Sequence, residues 1–239
     1  IVKQGLKIIK KRLNLGLKTL YDLTNASSEP TVFDLGFKLG PRINAGGRVS
    51  KSSFGPELLI SDDPEKVYQI AINLDKSNKE RQAIELLLSE QVNKEVNKYH
   101  NQPILILSGK NWHEGVMGIV ASRVKEKYNK PTIIISLKNK IGKGSARSIV
   151  GFDIGSQIIS AIQHGILEKG GGHKMAGGFT LKEENISRFR DFLIKSFNKT
   201  MTNTSQGMKL YLDSIHFEVL KTICEKKTIL NNLPVCYNF

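Results

Sequence analysis

The sequence is poor in cysteine and has no long apolar run. Its two cysteines, Cys224 and Cys236, are too few and too unevenly placed for a disulfide framework or a zinc site. No stretch approaches the roughly 18 uncharged apolar residues that a membrane span requires, and the first residues show no signal-peptide pattern. We therefore expect a protein of the reducing cytoplasm that does not enter a membrane.

Motifs for a catalytic metal are also missing. Hydrolysis of a phosphodiester usually needs divalent cations held by clustered aspartate and histidine, or a nucleophile beside a base. The sequence has no Asp-x-Asp, no His-His pair and no His-x-x-x-His, and its acidic residues lie mostly on predicted helical surfaces. We therefore predict no metal ligands and no catalytic residues within these 239 residues.

Acidic residues are outnumbered by basic ones, 22 to 36, which leaves a formal charge of +14. Such a charge attracts polyanions. However, most of the basic residues are lysines, and a chain rich in Lys, Ile and Asn can simply reflect an AT-rich genome. The arginines are more specific, because a guanidinium can grip phosphate bidentately. Four of them lie in or beside glycine-rich clusters, namely Arg42, Arg48, Arg123 and Arg147.

The order of predicted elements indicates an α/β fold with a small central sheet. Residues 1–25 favour two short helices broken near Asn14. The segment 62–65, Asp-Asp-Pro-Glu, is typical of a helix start, and helical spacing then continues to about Tyr99 without Gly or Pro. A helix of about 35 residues would span roughly 50 Å, so we expect it to join two lobes. Its predicted apolar positions are Val67, Ile70, Leu74, Ile84, Leu87, Leu88, Val92 and Val96.

Beyond Pro103, apolar runs typical of buried strands alternate with helical patterns. The predicted strands are 104–107, 132–135, 140–148 and 179–181, and the predicted helices are 116–128, 153–163 and 183–197. A glycine-rich loop is expected at 170–178, a polar linker at 200–207 and one further strand at 209–213.

Four clusters combine glycine, which lets backbone approach a ligand, with side chains that hydrogen-bond phosphate. They are RINAGGR at 42–48, WHEGVMG at 112–118, GSARS at 144–148 and GGGHKMAGG at 170–178. Together they predict a cleft for a sugar-phosphate chain. The candidate binding residues are Arg42, Asn44, Arg48, His113, Arg123, Ser145, Arg147, Ser148, Gly171, Gly172 and His173.

Each cluster also has a purely structural interpretation. Asn44 could cap a turn, and Arg48 could pair with Glu57. His113 could be a helix N-cap, and Arg123 could be a surface residue on the same helix. The GSARS segment could be a simple exposed edge strand, and the glycines of 170–178 could merely form a tight turn.

The four motifs, in this order and spacing, resemble the RecJ single-stranded-DNA exonucleases of the DHH phosphoesterase superfamily. The resemblance runs from residue 1 to about 220. It implies the end of a DHH domain at 1–63, a long linking helix at 64–100, a DHHA1 substrate-binding domain at 101–200 and the start of an OB-fold at 205–239. The expected OB-fold motif is not found in the last residues, and the metal-binding motifs of the DHH domain are absent.

The resemblance also implies roles for the candidate residues. Arg42, Asn44 and Arg48 would face the scissile region. Ser145, Arg147, His113 and Arg123 would grip the DNA backbone or its 5′ phosphate, beside a groove completed by Gly171, Gly172 and His173. An intact family enzyme would degrade single-stranded DNA from the 5′ end with Mn²⁺ or Mg²⁺, whereas this chain would bind DNA without cleaving it.

Two alternatives remain open. One is a DHH-family phosphodiesterase that acts on oligonucleotides or cyclic dinucleotides. The other is a non-catalytic module that binds single-stranded nucleic acid, either as a remnant of a gene or as the partner of a separately encoded DHH half.

Overall fold

The structure is a computed structural model that describes residues 1–24 and 29–201. Its helices are α1 (Val2–Lys10), α2 (Leu15–Leu23), a π-helical segment (Asp34–Leu39), α3 (Gly40–Val49), α4 (Phe54–Ile60), α5 (Pro64–Tyr99), α6 (Glu114–Tyr128), α7 (Ile154–Gln163), a 3₁₀ turn (Glu183–Asn185) and α8 (Ile186–Met201). Its strands are β1 (Leu105–Lys110), β2 (Thr132–Lys138), β3 (Ile141–Arg147), β4 (Lys169–His173) and β5 (Ala176–Lys182). The α/β fold is therefore confirmed.

The first lobe is helical. The break near Asn14 is confirmed, because the Asn14 side chain caps α2 by accepting a hydrogen bond from the amide of Leu17 at 2.8 Å. Helices α2 to α4 pack on the first half of α5 around one apolar cluster. The buried members of that cluster are Leu20, Tyr21, Leu39, Leu58, Val67, Ile70, Ala71 and Leu74.

The first arginine cluster is helical, not the turn that its Asn-Ala-Gly-Gly sequence suggests. Residues 40–49 form α3, and Ala45 and Gly46 are buried within it. A Cβ atom on Gly46 would lie 2.8 Å from the carbonyl oxygen of Lys51 and 3.1 Å from Leu74. The glycine therefore serves close packing of α3 against its neighbours, and this packing outweighs the low helix propensity of glycine.

The long helix α5 is confirmed almost residue for residue. Asp63 is its N-cap and accepts hydrogen bonds from the amides of Glu65 and Lys66. The first half of α5 packs in the helical lobe, and its second half packs on the sheet. One predicted apolar position is wrong, since Leu87 is 59% exposed while Leu88 is buried. Helical spacing alone does not decide which of two adjacent leucines faces the core.

The five-stranded sheet has the order β1-β2-β3-β5-β4, with β1 parallel to β2 and the other neighbours antiparallel. Helices α5 and α6 cover one face over β1 to β3, and α7 and α8 cover the other. At the β1 edge, Arg190 of α8 lies over the ring of Tyr99 and donates a hydrogen bond to the Ile106 carbonyl at 3.1 Å.

The glycine-rich segment at 170–178 is a β-hairpin rather than a loop. Its two strands, β4 and β5, pair from Lys169↔Thr180 to His173↔Ala176, and residues 174–175 form the turn. Glycine is a poor strand former in isolation, but pairing with β3 and packing under α7 decide the conformation here.

The predicted polar linker, final strand and OB-like segment lie outside the described residues, apart from the end of α8. Within 1–24 and 29–201, no helix is both long and apolar enough to cross a membrane.

Candidate nucleic-acid interface

On the face of the sheet that carries α6, helix α6 packs against β3, and the hairpin beyond β3 is left uncovered by the described helices. Because residues paired across neighbouring strands point to the same side of a sheet, the register defines three rows on this face. The rows are Arg147–Ala176–His173, Ser145–Gly178–Gly171 and Lys143–Thr180–Lys169. An open groove runs over the second and third rows and is bounded by the start of α6 at Glu114 and Met117. We call it the hairpin groove.

Arg147 lies at the end of the first row, beside α6. Its Nε donates a hydrogen bond to Ser122 Oγ at 3.2 Å, and its Nη1 donates to Ser145 Oγ at 3.3 Å and to the Ala146 carbonyl at 2.8 Å. The guanidinium lies where a side chain on Gly118 would stand, since a Cβ there would be 2.5 Å from Nη2. The glycine of α6 thus makes room for the arginine, and two serines hold it in place.

Arg48, on α3 of the helical lobe, extends to the N-terminus of α6 near Arg147. Its Nη1 donates to the Gly115 carbonyl at 3.1 Å, and a Cβ on Gly115 would lie 2.1 Å from the Arg48 carbonyl oxygen. Only glycine permits this approach of α3 to the N-terminus of α6. Burial lowers the pKa of Arg147, and the positive charge of Arg48 lowers it further. The two guanidiniums are therefore close enough to repel each other.

Neither guanidinium is neutralised by a carboxylate of the part of the chain that the structure describes. Within residues 1–24 and 29–201, no carboxylate lies within 4.0 Å of the charged nitrogens of Arg48, Arg147 or Lys169. By contrast, Arg12, Arg42, Arg81 and Arg123 all pair with carboxylates. Two neighbouring guanidiniums without a carboxylate partner, with serine hydroxyls beside Arg147 and the N-terminus of α6 beside Arg48, suit an anion. We call Arg48 and Arg147 the arginine pair.

The floor of the hairpin groove is bare backbone at Gly171 and Gly178. A Cβ atom on Gly171 would meet nothing within 4 Å, and one on Gly178 would meet only the Gly144 carbonyl oxygen at 3.7 Å. Neither glycine has a positive φ. The packing of the described residues therefore gives no reason for glycine at these two positions, whereas close contact with a ligand would.

The two candidate histidines flank the groove and are exposed. His113 is the N-cap of α6, and its Nδ1 accepts a hydrogen bond from the Gly115 amide at 3.2 Å. His173 ends β4, and its Nδ1 accepts from the Met175 amide at 3.3 Å. Each ring keeps its Nε2 free for another partner, since no bond to that atom is recorded among the described residues. His173 shares a row with Arg147, about 10 Å away across two strand spacings.

Four predicted residues lie elsewhere or are already engaged. Arg42 is partly buried and pairs with Asp75 of α5 at 2.8 Å. Arg123 pairs with the buried carboxylate of Glu85. Ser148 is buried and donates its hydroxyl hydrogen to the Phe152 carbonyl at 2.6 Å, so it does not face the groove. Asn44 is exposed on α3. The alternative pairing of Arg48 with Glu57 is wrong, because Glu57 pairs with Lys66.

The sequence patterns did not identify several residues that lie in or near the hairpin groove. Lys143 and Lys169 are in the third row, and Lys143 pairs with Glu114 at 2.9 Å. Lys143 alternates with Ser145 and Arg147, so the period of two could have identified it. Ser122 is one helical turn beyond Gly118, and no local pattern connects it to Arg147.

The metal chemistry expected of the family finds no support in these residues. Within 1–24 and 29–201, no three side chains of His, Cys, Asp or Glu come together in a group that could hold a metal ion.

Comparison with known proteins places this geometry in a family. Residues 101–199 match the model of the DHHA1 domain family. The chain is 36% identical over 226 residues to the single-stranded-DNA-specific exonuclease RecJ of Haemophilus influenzae, an alignment that covers 90% of this chain and 37% of that protein. It is 33% identical over 206 residues to RecJ of Bacillus subtilis, covering 84% of this chain and 26% of the relative. The chain thus spans about a third of these relatives' length.

Solved structures agree with the sequence comparison. RecJ of Thermus thermophilus in complex with Mn²⁺ has the same fold, with a TM-score of 0.76 at 24% identity over 99% of this chain and 34% of that one. An exonuclease RecJ bound to manganese gives a TM-score of 0.72 at 26% identity, over 85% of this chain and 51% of that one. Residues 101–199, which include the sheet, therefore form a DHHA1 domain, and the chain as a whole belongs to the RecJ family.

Proposed function

We propose that this chain holds single-stranded DNA in the hairpin groove, as the substrate-binding part of a RecJ-type exonuclease that hydrolyses phosphodiester bonds in the 5′ to 3′ direction. The observation that carries the proposal is the arginine pair, two uncompensated cations from different lobes at one end of a groove floored by glycine. RecJ relatives that are named for action on single-stranded DNA support the choice of ligand. The proposal also includes the domain ranges predicted from the sequence and a location in the cytoplasm.

In the proposed complex, the arginine pair receives the terminal 5′ phosphate. A phosphate monoester carries up to two negative charges, so it compensates both guanidiniums, whereas an internal phosphodiester carries one. The sugar-phosphate chain then follows the rows of the hairpin past Gly178 and Gly171. There the strand can approach the glycine backbone closely, and the ammonium group of Lys169 attracts its phosphates. A flexible single strand can follow this path. The remaining candidates, His113 and His173, donate hydrogen bonds to phosphate oxygens.

The test is a binding titration of the 239-residue chain by fluorescence anisotropy. The probes are oligothymidylates of about 16 nucleotides with a 5′ phosphate, a 3′ phosphate or neither. We expect the 5′-phosphorylated strand to bind about tenfold more tightly than the other two. Equal affinity for all three would remove the terminal phosphate from the arginine pair.

Two further experiments distinguish the proposed function from a phosphodiesterase of short substrates and from a chain that is active alone. Tighter binding of a dinucleotide or a cyclic dinucleotide than of the longer strand would favour a phosphodiesterase of short substrates. Incubation of the chain with a labelled strand and Mn²⁺ or Mg²⁺ tests whether it needs a further DHH half for hydrolysis. We expect binding without cleavage, and degradation of the strand by the pure chain would contradict that part of the proposal.

A further inference from the structure

The buried stripe of α5 changes its chemistry halfway along the helix. Its spacing of three or four residues is continuous, but apolar side chains stop after Leu74 and resume at Leu88. Between them lie four buried polar residues, which we call the polar waist: Ser77, Asn78, Arg81 and Glu85. The waist lies where the helical lobe ends and the lobe with the sheet begins.

The polar waist binds α6 through Glu85. One carboxylate oxygen, Oε2, pairs with Arg81, which also donates from Nε and Nη2 to Asn78 Oδ1 at 3.3 and 3.1 Å. The other oxygen, Oε1, is buried and accepts no hydrogen bond among the described residues. Its charge is compensated by the guanidinium of Arg123 on α6, whose Nη2 lies 2.5 Å away. Arg123 adjoins Ser122, which holds Arg147.

A second ion pair attaches α3 to the same helix. Arg42 of α3 donates from Nε to Asp75 of α5 at 2.8 Å and from Nη1 to the Lys38 carbonyl at 2.8 Å. Asp75 and Glu85 are ten residues apart, which is about 15 Å along the helix. One carboxylate of α5 thus fixes α3, which carries Arg48, and the other fixes α6, which carries the serine that holds Arg147.

A contribution to stability does not by itself explain why ion pairs stand at these positions. Glu85 is buried and Asp75 is partly buried, and a charge pair with a buried member is often no more stabilising than apolar side chains of equal volume, although it requires a particular geometry. The charge of Arg48 also lowers the pKa of Arg147, which means that the two guanidiniums repel each other when no anion lies between them. Ion pairs to one shared helix oppose a displacement of α3 relative to α6, whereas an apolar contact would tolerate sliding.

We propose that the pairs Glu85–Arg123 and Asp75–Arg42 are positioning pairs, which set the gap between Arg48 and Arg147 so that both guanidiniums reach one phosphate. The inference rests on the proposed function for the identity of the ligand. It assigns Arg42 and Arg123 a role through geometry, without contact to the nucleic acid.

The variant Glu85→Gln distinguishes this role from simple electrostatics. Glu85 is 2% exposed and cannot touch a strand, and its replacement makes the chain more positive. Electrostatics alone therefore predicts tighter binding of every oligonucleotide. Loss of positioning predicts that the preference for a 5′ phosphate over a 5′ hydroxyl falls by about tenfold, the scale expected when a site shifts by about an ångström or less.

Arg123→Gln serves as the second variant in case Glu85→Gln does not fold, because Arg123 is 64% exposed. Lys127→Gln is the matched control, since it removes one exposed positive charge from the same helix and Lys127 has no ion pair with the described part of α5. We expect Arg123→Gln to lose the 5′-phosphate preference and Lys127→Gln to keep it. A uniform loss for all strands, with a salt dependence reduced by about one phosphate contact, would show instead that Arg123 binds DNA directly.

The geometry itself is measured without any ligand. Spin labels on the exposed positions Lys18 and Lys182, one in each lobe, report the distance between the lobes after Cys224 and Cys236 are replaced by serine. We expect a narrow distribution for the parent chain and for Lys127→Gln, and a broader or shifted one for Glu85→Gln and Arg123→Gln. Unchanged distributions in both would overturn the proposal. If the parent chain showed no 5′-phosphate preference, the proposed function would fail, and the distances would still decide whether the pairs fix the lobes.

Discussion

The face of the sheet under α7 and α8 and the face that lines the hairpin groove are built from the same strands, β3, β5 and β4. On the covered face, a Cβ atom on Gly144 would lie 2.1 Å from the ring of Phe179, so glycine there is required by the core. On the open face, Gly178 of the adjoining strand has room for a side chain. On the covered face, packing within the protein requires glycine. On the open face, packing does not require it, and contact with a bound ligand would.

The largest expected effect tests the covered face. Gly144→Val places atoms inside the space of the Phe179 ring, and overpacking of this kind should lower the free energy of unfolding by about 3 kcal/mol. The measurement is urea denaturation followed by circular dichroism. Gly178→Val is the matched control and should change the same quantity by less than about 1 kcal/mol, because valine favours strands. If both variants lost the same free energy of unfolding, glycine would be required equally on the two faces, and the comparison would be wrong.

On the open face, the largest effect is expected at the arginine pair. Arg147→Ala removes one of its two cations and should weaken binding of a 5′-phosphorylated strand by about 1–3 kcal/mol, the range of a lost charge-assisted hydrogen bond. Anisotropy titration at fixed salt measures it. Arg188→Ala removes an exposed arginine from α8 and should leave the affinity unchanged. If Arg147→Ala also left the affinity unchanged, Arg147 would not belong to the site.

A smaller loss is expected when the groove floor is filled. Gly178→Val should weaken binding of the same strand by about tenfold, because the methyl groups would stand where the sugar-phosphate chain approaches the backbone. Ser187→Val adds a similar side chain on the exposed surface of α8 and should have no effect. A Gly178→Val protein that binds like the parent chain would mean that no ligand approaches this part of the hairpin.

The smallest effect is expected for a single lysine at the edge of the groove. Lys169→Gln should reduce the slope of log affinity against log salt by about 0.7, which is one phosphate contact to a single strand. Lys195→Gln on α8, also exposed, should leave the slope unchanged. A slope altered equally by both lysines would indicate a diffuse field of charge rather than a defined path.

Local sequence patterns predicted the elements well where a local cause decides them. The start of α5 at Pro64 follows from its Asp63 cap, and the shared face of Ser145 and Arg147 follows from strand alternation. The glycines of 170–178 were expected to form a loop because glycine is a weak strand former, but pairing with β3 decides their conformation. That pairing is not encoded in the segment itself.

The site was less predictable than the fold because its contacts are distant in the chain. The hydrogen bond from Arg48 to Gly115 joins residues 67 positions apart. The arginines also look alike in the sequence, since each lies in or beside a glycine-rich cluster. Yet Arg123 is paired with Glu85, while no carboxylate of the described residues pairs with Arg147. Only the packing of α5 between the lobes separates these two cases.

The hydrogen bond from Arg190 to the Ile106 carbonyl bears on how the protein behaves at high concentration. A strand at the edge of a sheet can recruit a strand from another molecule through its unpaired backbone groups. At the β1 edge a guanidinium already occupies one of those groups, so among the described strands such recruitment would begin more readily at β4. Association through a single edge closes after two copies, so crowding would lead to dimers rather than to growing fibres.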